Sequence, residues 1–372
     1  MSVTVMGKLP DPFRREDGTR MTAEEWYAQR EQLFAKICET EFGGMPPRPE
    51  VVRVVGLTPP KSGGGTNIYK IWAGTKERQV SFLLDITAPA APLDGSVKFP
   101  LLLTGDGCYT NCESDTIEKA CSMRIAVARF NRLEFAGDDK TAGRVGGLYD
   151  VYPTHKSFTA ISAWTWGYMA VMDALEQIPY IDVKNVGITG HSRGGKAVLL
   201  AGAADTRIRF VCPNNSGCHG AASHRLKETG YGSQNKTEEL ADMFRNFPHW
   251  MGEGLRQYVG REDEIPYDMH FFGALIAPRM YLQCEGMQDY WINPKGAWMN
   301  FCGVKEAYRY LGCEDHAAAW FRPGFHRHKL PDFTEFLAFM QTKLQNLPTA
   351  EHLKMNPYPE LQIDTDWESE LP

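Results

Sequence analysis

Residues 186–196 restrict the fold of this chain more than any other stretch. They read Val186-Gly187-Ile188-Thr189-Gly190-His191-Ser192-Arg193-Gly194-Gly195-Lys196, and the apolar run Ala197-Val198-Leu199-Leu200 follows at once. A short buried strand, one tight turn and a helix fit this order of residues. Glycines stand on both sides of Ser192 because a Cβ cannot be accommodated beside so sharp a turn. The strain pushes the Ser192 hydroxyl out at the top of a sheet, over the positive end of the helix that follows. The pattern G-x-S-x-G is weak by itself, and a chance serine in an ordinary strand–turn–helix is the competing reading. The strand before it and the helix after it supply the context a nucleophile needs.

The rest of the chain is consistent with a sheet built around that turn. Thr22 and Glu25 form a capping box ahead of a helix running to about residue 38. Glycine and proline over 43–49 break the chain. Extended segments over 51–55, 67–72 and 79–87 then predict antiparallel strands at one edge of a sheet. From residue 99 the texture changes to apolar runs alternating with helices, the mark of a parallel sheet with crossovers. Strands are predicted at 100–103, 124–130, 208–212, 280–285 and 318–321, and helices at 158–175, 294–311 and 333–344. Residues 131–156 form a long loop rich in glycine and charge, a length usually tied to function. Residues 223–266 look like a helical and looping insertion. The expected organisation is an N-terminal helical and loop extension over 1–50, one α/β domain over 51–346 with that insertion, and a C-terminal tail over 347–372.

Composition excludes several classes. The net charge is −6 and no lysine- or arginine-rich run occurs, which argues against a nucleic-acid surface. No segment has the length and apolarity of a membrane span, and the first eight residues contain no apolar run of signal-peptide length. Nine cysteines at irregular spacing fit reduced thiols better than a disulfide framework or a zinc site. These features predict a cytoplasmic protein, or a secreted one if a leader has been removed. They predict no membrane partner, and oligomeric state is left open.

Nucleophilic attack on an ester requires a base for the serine proton and an acid to fix the tautomer of that base. In α/β-hydrolases these follow in the order Ser, Asp or Glu, His. Here Ser192, Asp289 and His326 fall in that order, each just past a predicted strand. The C-terminal ends of parallel strands share one sheet edge, so their loops converge. Glu285 is a rival acid close to Asp289. His328 is a rival base, but His326 follows Pro323-Gly324 at the tip of its turn. An H-x-H metal pair lacks a supporting carboxylate or cysteine cluster. Arg193 and Lys196 place two cations in the first turns of a helix, where the dipole disfavours them. A developing oxyanion, or a substrate carboxylate, would answer that charge. The loop over 105–108 could add a backbone N–H donor.

Several blocks, taken in order, resemble the glucuronoyl esterases of carbohydrate esterase family fifteen. They are Gly190-His191-Ser192-Arg193-Gly194-Gly195-Lys196-Ala197, Pro213-Asn214-Asn215-Ser216-Gly217-Cys218, Leu275-Ile276-Ala277-Pro278-Arg279 and Arg322-Pro323-Gly324-Phe325-His326. Ile161-Ser162-Ala163-Trp164-Thr165-Trp166-Gly167 and Asn246-Phe247-Pro248-His249-Trp250 add to the likeness. The resemblance implies Ser192 as nucleophile, His326 as base, Arg193 as an aid to the oxyanion and Lys196 as a ligand of the uronic-acid moiety. It further implies that Glu228 hydrogen-bonds sugar hydroxyls and that Trp291 borders the sugar. Family members carry their acid either in the loop after the Ser-bearing helix's next strand or after a later strand. Asn215 stands at the first position, so the resemblance points to Asp289. Fungal members carry cysteines beside the nucleophile and after the base; His191 and Arg327 stand there in this chain, and that disulfide is absent.

The expectation is an α/β-hydrolase fold, a mixed but mainly parallel sheet flanked by helices, with insertions lining the active site. The expected activity is serine ester hydrolysis at C6 of glucuronic or 4-O-methylglucuronic acid, on a small or oligosaccharide substrate and with no metal or organic cofactor. An acetyl esterase, a methyl esterase of another uronic acid, and a non-catalytic sugar-binding relative are the alternatives.

Overall fold

The computed structural model describes residues 2–59, 61, 65–109, 111–230, 236–365 and 367. The chain opens with a short strand, β1 (Ser2–Val5), and the capped helix α1 (Ala23–Phe42). The Thr22 hydroxyl accepts from the Glu25 N–H, and the Glu25 carboxylate accepts from the Thr22 N–H, so the predicted capping box is present. Three strands follow, β2 (Val51–Gly56), β3 (Thr66–Gly74) and β4 (Gln79–Thr87). Next come β5 (Phe99–Thr104), α2 (Ser114–Ser122), β6 (Ala126–Phe130), the four-residue helix α3 (Leu148–Val151) and α4 (Ala160–Leu175). The Ser192 turn joins β7 (Ile181–His191) to α5 (Arg193–Ala204). Beyond it lie β8 (Phe210–Asn214), β9 (Leu226–Thr229), α6 (Leu240–Asn246) and α7 (His270–Ile276). The chain then runs through β10 (Met280–Gly286), α8 (Pro294–Tyr310), β11 (Ala317–Arg322) and α9 (Leu330–Leu344).

Among the described residues nine strands make one sheet in the order β11-β10-β8-β7-β5-β6-β4-β3-β2. The six from β11 to β6 run parallel, and β4, β3 and β2 are antiparallel additions at one edge, as the sequence predicts. Parallel strands buried on both faces read as continuous apolar runs, which is why Leu101–Leu103 and Val186–Ile188 carry no alternation. Helix α4 is buried nearly all round, with Trp164, Trp166 and Tyr168 among its fully buried side chains. The mixed, mainly parallel sheet with helices on both sides is the α/β-hydrolase architecture.

Five elements depart from what the sequence predicts. Helices α2 and α7 are short crossover pieces, and α3 is a four-residue helix inside the long loop over 131–156. Strand β1 pairs with β9 as a separate two-stranded ribbon, Ser2 opposite Thr229 and Val5 opposite Leu226. Its four residues are all exposed, so no burial pattern marks it. The ends of the chain are also less separate than an extension and a tail. Trp26, Phe42 and Trp367 are buried in the same apolar cluster as the sheet residues Phe82 and Leu101.

Candidate active site

Ser192 stands at the sharpest turn of the fold. Its φ of 57° and ψ of −121° lie where a non-glycine residue is rare and strained. Neighbouring backbone crosses at close range. A Cβ on Gly190 would lie 2.7 Å from the Gly194 carbonyl oxygen, and one on Gly194 would run into Asp106 Oδ1. Asp106 accepts from the His191 N–H at 2.7 Å and pairs with Arg132; both side chains are buried. Burial raises the Asp106 carboxyl pKa, and the Arg132 cation works in the opposite direction. The Ser192 N–H donates to the Asn214 carbonyl at 2.9 Å, tying the turn to the end of β8.

The loops after β10 and β11 bring an acid and an imidazole together at the same sheet edge. His326 Nδ1 lies 2.5 Å from Asp289 Oδ2, and Asn215 Nδ2 donates to that same oxygen at 2.8 Å. Asp289 is buried, whereas the His326 side chain is 41% exposed and open to a substrate. The Ser192 hydroxyl makes no hydrogen bond among the described residues; nucleophile–base bonds often tighten only in the substrate complex. The rival acid is in a different state. Glu285 is fully buried, and burial, reinforced by the charge of Asp289, raises its pKa well above the carboxylate range. One of its oxygens has no hydrogen-bond partner, a placement that suits a neutral acid and penalises an anion. The rival base is buried too: His328 stacks on Phe333 with ring centroids 4.0 Å apart.

The two cations of α5 meet different surroundings. Arg193 Nη1 donates to Asp138 Oδ2 at 2.5 Å, and a third of its side chain stays exposed. Lys196 is buried, donating to the Ser216 carbonyl at 2.6 Å and to that of Cys218, with Glu238 Oε2 at 3.7 Å. Glu238 itself donates its backbone N–H to the Trp291 carbonyl at 2.7 Å, and burial raises its carboxyl pKa against the pull of Lys196. Glu228 lies on β9 with its carboxylate buried against Lys295 Nζ at 2.8 Å. The carboxylate that faces Lys196 is Glu238, ten positions on. Because β9 turns back, the Thr237 N–H bonds the Glu228 carbonyl and the two acids share a ribbon while pointing to different places. A second acid close after Lys227-Glu228 was the available signal.

Comparison with known proteins gives this geometry a family. A family model described as glucuronyl esterase of fungi matches residues 71–312. A 4-O-methyl-glucuronoyl methylesterase of Schizophyllum commune is 32% identical over 318 residues, 83% of this chain and 75% of that one. A second, from Wolfiporia cocos, is 30% identical over 328 residues, 86% of this chain and 76% of its own. This chain belongs to the glucuronoyl esterase family. Among solved structures, a family 15 glucuronoyl esterase from Caldicellulosiruptor kristjansonii superposes with a TM-score of 0.82 at 28% identity, covering 98% of this chain and 97% of that one. The catalytic domain of the Hypocrea jecorina glucuronoyl esterase gives 0.75 at 27%, covering 95% and 93%. None of these likenesses supports the cytoplasmic placement read from the amino terminus and the thiols. Among the described residues no helix is long and apolar enough to cross a membrane.

In this glucuronoyl esterase relative the loop carrying His326 is secured by non-covalent means. All nine cysteines are free thiols. The His191 ring lies 4.3 Å from that of His326, and its Nδ1 is 2.7 Å from Asn214 Oδ1. Burial, then the nearby His326 charge, lowers the His191 pKa to about 3, so the ring presents no positive charge to its neighbour near neutral pH. Arg322 donates to the carbonyls of Phe325 and Arg327, on either side of His326, and to Asp332. The loop carrying Asp289 is stitched to the same turn, with the Gln288 N–H donating to the Gly324 carbonyl at 3.0 Å.

Proposed function

We propose that this protein hydrolyses the C6 ester of glucuronic acid or its 4-O-methyl ether, on a small or oligosaccharide substrate, through an acyl-enzyme. The observation that carries the reading is the 2.5 Å contact between His326 Nδ1 and a buried Asp289, on loops that flank the Ser192 turn. The names of the relatives, 4-O-methyl-glucuronoyl methylesterases, support the choice of acyl group. Ser192 Oγ attacks the ester carbonyl while His326 Nε2 takes its proton. Asp289 keeps the proton of the ring on Nδ1 and stabilises the imidazolium. The oxyanion is met by the first N–H groups of α5 and by the Arg193 guanidinium. His326 then protonates the departing alcohol, and water activated by the same imidazole releases the free uronic acid. Glu238, supported by Lys196, and Trp291 take the sugar hydroxyls and ring face. The non-catalytic alternative fails to gain support from Asn215, because that amide bonds the acid instead of replacing it. The substrate class is the same on whichever side of a membrane the protein works.

The test is turnover of methyl and benzyl esters of 4-O-methylglucuronic acid beside acetyl esters, by wild type and Ser192→Ala. Wild type is expected to favour the uronates, and the variant to lose about 10⁵–10⁶ in kcat. Equal or faster turnover of acetyl esters would sink the uronate assignment, and an active Ser192→Ala would sink the mechanism.

A further inference from the structure

Arg193 opens α5, where unpaired N–H groups already carry partial positive charge. A guanidinium added there stays close to the Ser192 turn only if something fixes it. Asp138 Oδ2 accepts from Nη1 at 2.5 Å, and the guanidinium lies 4.8 Å from the centre of the Trp250 ring and 5.8 Å from that of Phe247. Those two rings are stacked at 4.1 Å with an interplanar angle of 3°. The other oxygen of Asp138 accepts from His249 Nε2 and from Trp250 Nε1, each at 2.9 Å. One carboxylate thus binds both the cation and the aromatic plane on which it rests. Its own loop is anchored by Trp164 Nε1, which donates to the Ala136 carbonyl at 2.9 Å. Burial works against the Asp138 anion, but the bonds from His249, Arg193 and Trp250 outweigh it and hold its pKa at about 2.

We propose that Asp138, with His249 and Trp250, is a positioning device that holds the Arg193 guanidinium ready for the oxyanion formed at Ser192. The inference rests on the esterase reading and adds three positioning residues to it. The contact is made through a single nitrogen, so it orients the guanidinium without using its whole fork. One oxygen of Asp138 is occupied by His249 and Trp250, so the carboxylate cannot close a two-point pair and neutralise Arg193 outright. The loop over 131–156 and the insertion over 223–266, which the sequence offers as unexplained length, meet at this carboxylate. Donors fixed before reaction need no reorganisation in the transition state, and a misplacement of about 1 Å can cost about a hundredfold.

The test is a double-mutant cycle on the methyl ester of 4-O-methylglucuronic acid, using Asp138→Ala, Arg193→Ala and the double variant, with melting temperatures alongside. Asp138→Ala is expected to lower kcat by about ten- to a hundredfold with KM changed less than about threefold. In the Arg193→Ala background the same change should add less than about twofold, because its effect has lost its intermediary. If Asp138→Ala does not fold, Trp250→Phe keeps the ring, removes one donor, and should lower kcat about threefold through the same coupling. Effects that simply multiply, or that fall on KM, would overturn the proposal. Wild type inactive on every ester would instead overturn the esterase reading, and this proposal with it.

Discussion

Replacing Asp289 by asparagine is expected to lower kcat by about 10³–10⁴ while leaving the fold intact. Asp289 Oδ2 receives two contacts, from His326 Nδ1 at 2.5 Å and Asn215 Nδ2 at 2.8 Å. An amide that keeps its oxygen at that point still accepts from both but brings no charge to stabilise the imidazolium; one that turns its NH₂ there meets Asn215 donor to donor and fixes the His326 proton on Nε2, where the ring cannot accept from Ser192. The same exchange in a fully buried triad costs about 10⁴, roughly 5 kcal/mol at about 1.4 kcal/mol per tenfold. The His326 side chain is 41% exposed, so water screens part of the effect and the lower end of the range is expected. Glu285→Gln should change kcat by less than about threefold, because burial and the Asp289 charge already work against its anion, so an amide there takes little charge away. Asn215→Asp would set a second carboxylate against the first. Like charges at that range raise the pKa of the pair, so the acid limb of the kcat profile should move to higher pH. The assay is kcat and kcat/KM against pH on the methyl ester of 4-O-methylglucuronic acid. A Glu285→Gln loss as large as that of Asp289→Asn would refute the assignment.

The two acids near the sugar side separate by readout. Glu238→Ala should raise KM about tenfold for uronate esters, by loss of a charge-assisted bond in a buried setting, and change a hydroxyl-free aryl acetate little. Glu228→Ala should leave KM unchanged and destabilise the fold by about 3 kcal/mol, since it strands Lys295 beside a buried wall; urea midpoints measure this. Acid should also weaken the fold through two imidazoles. Burial lowers the pKa of His191 to about 3 and that of His270 to about 4, against about 6.5 in the unfolded chain. The unfolded state therefore binds protons that the folded state refuses. Their stabilisation is complete above about pH 6.5 and is lost as the pH falls toward 3 or 4, at up to about 1.4 kcal/mol per pH unit for each group. Unfolding free energies measured from pH 7 to 4 should show the slope, and His270→Gln should flatten it.

How much of this was legible depends on where the information sits. The Ser192 turn was readable because its glycines, its strand and its helix are contiguous. Asp289 and His326 were readable one step removed, since the ends of parallel strands must share an edge. Glu238 was not, because its place depends on how the β9 ribbon folds back, and the chain near Lys227 offers several acids with equal local claims. Strand β1 escaped because an all-exposed strand leaves no burial period to detect. The need for a counter-charge opposite Arg193 follows from the helix dipole, but the identity of Asp138 does not, because its loop is fifty-odd positions away and has no regular pattern. That Asp289 faces His326 while Glu285 is buried with an unpartnered oxygen is a matter of solvation and placement, which the linear order of residues does not carry.

Glu41, at the end of α1, reaches into the interior. Its carboxylate accepts from the Tyr267 hydroxyl at 2.7 Å and faces His219 Nδ1 at 2.5 Å and His224 Nε2 at 3.1 Å. His219 and His224 lie on the stretch that follows the carbonyls gripped by Lys196. Anyone trimming the protein to a minimal catalyst by cutting at residue 50 would remove a keystone along with the leading helix. Two imidazoles and a phenol would be left in the interior without the carboxylate they share. Chimeras that exchange this helix between relatives should carry the histidine-bearing segment with it.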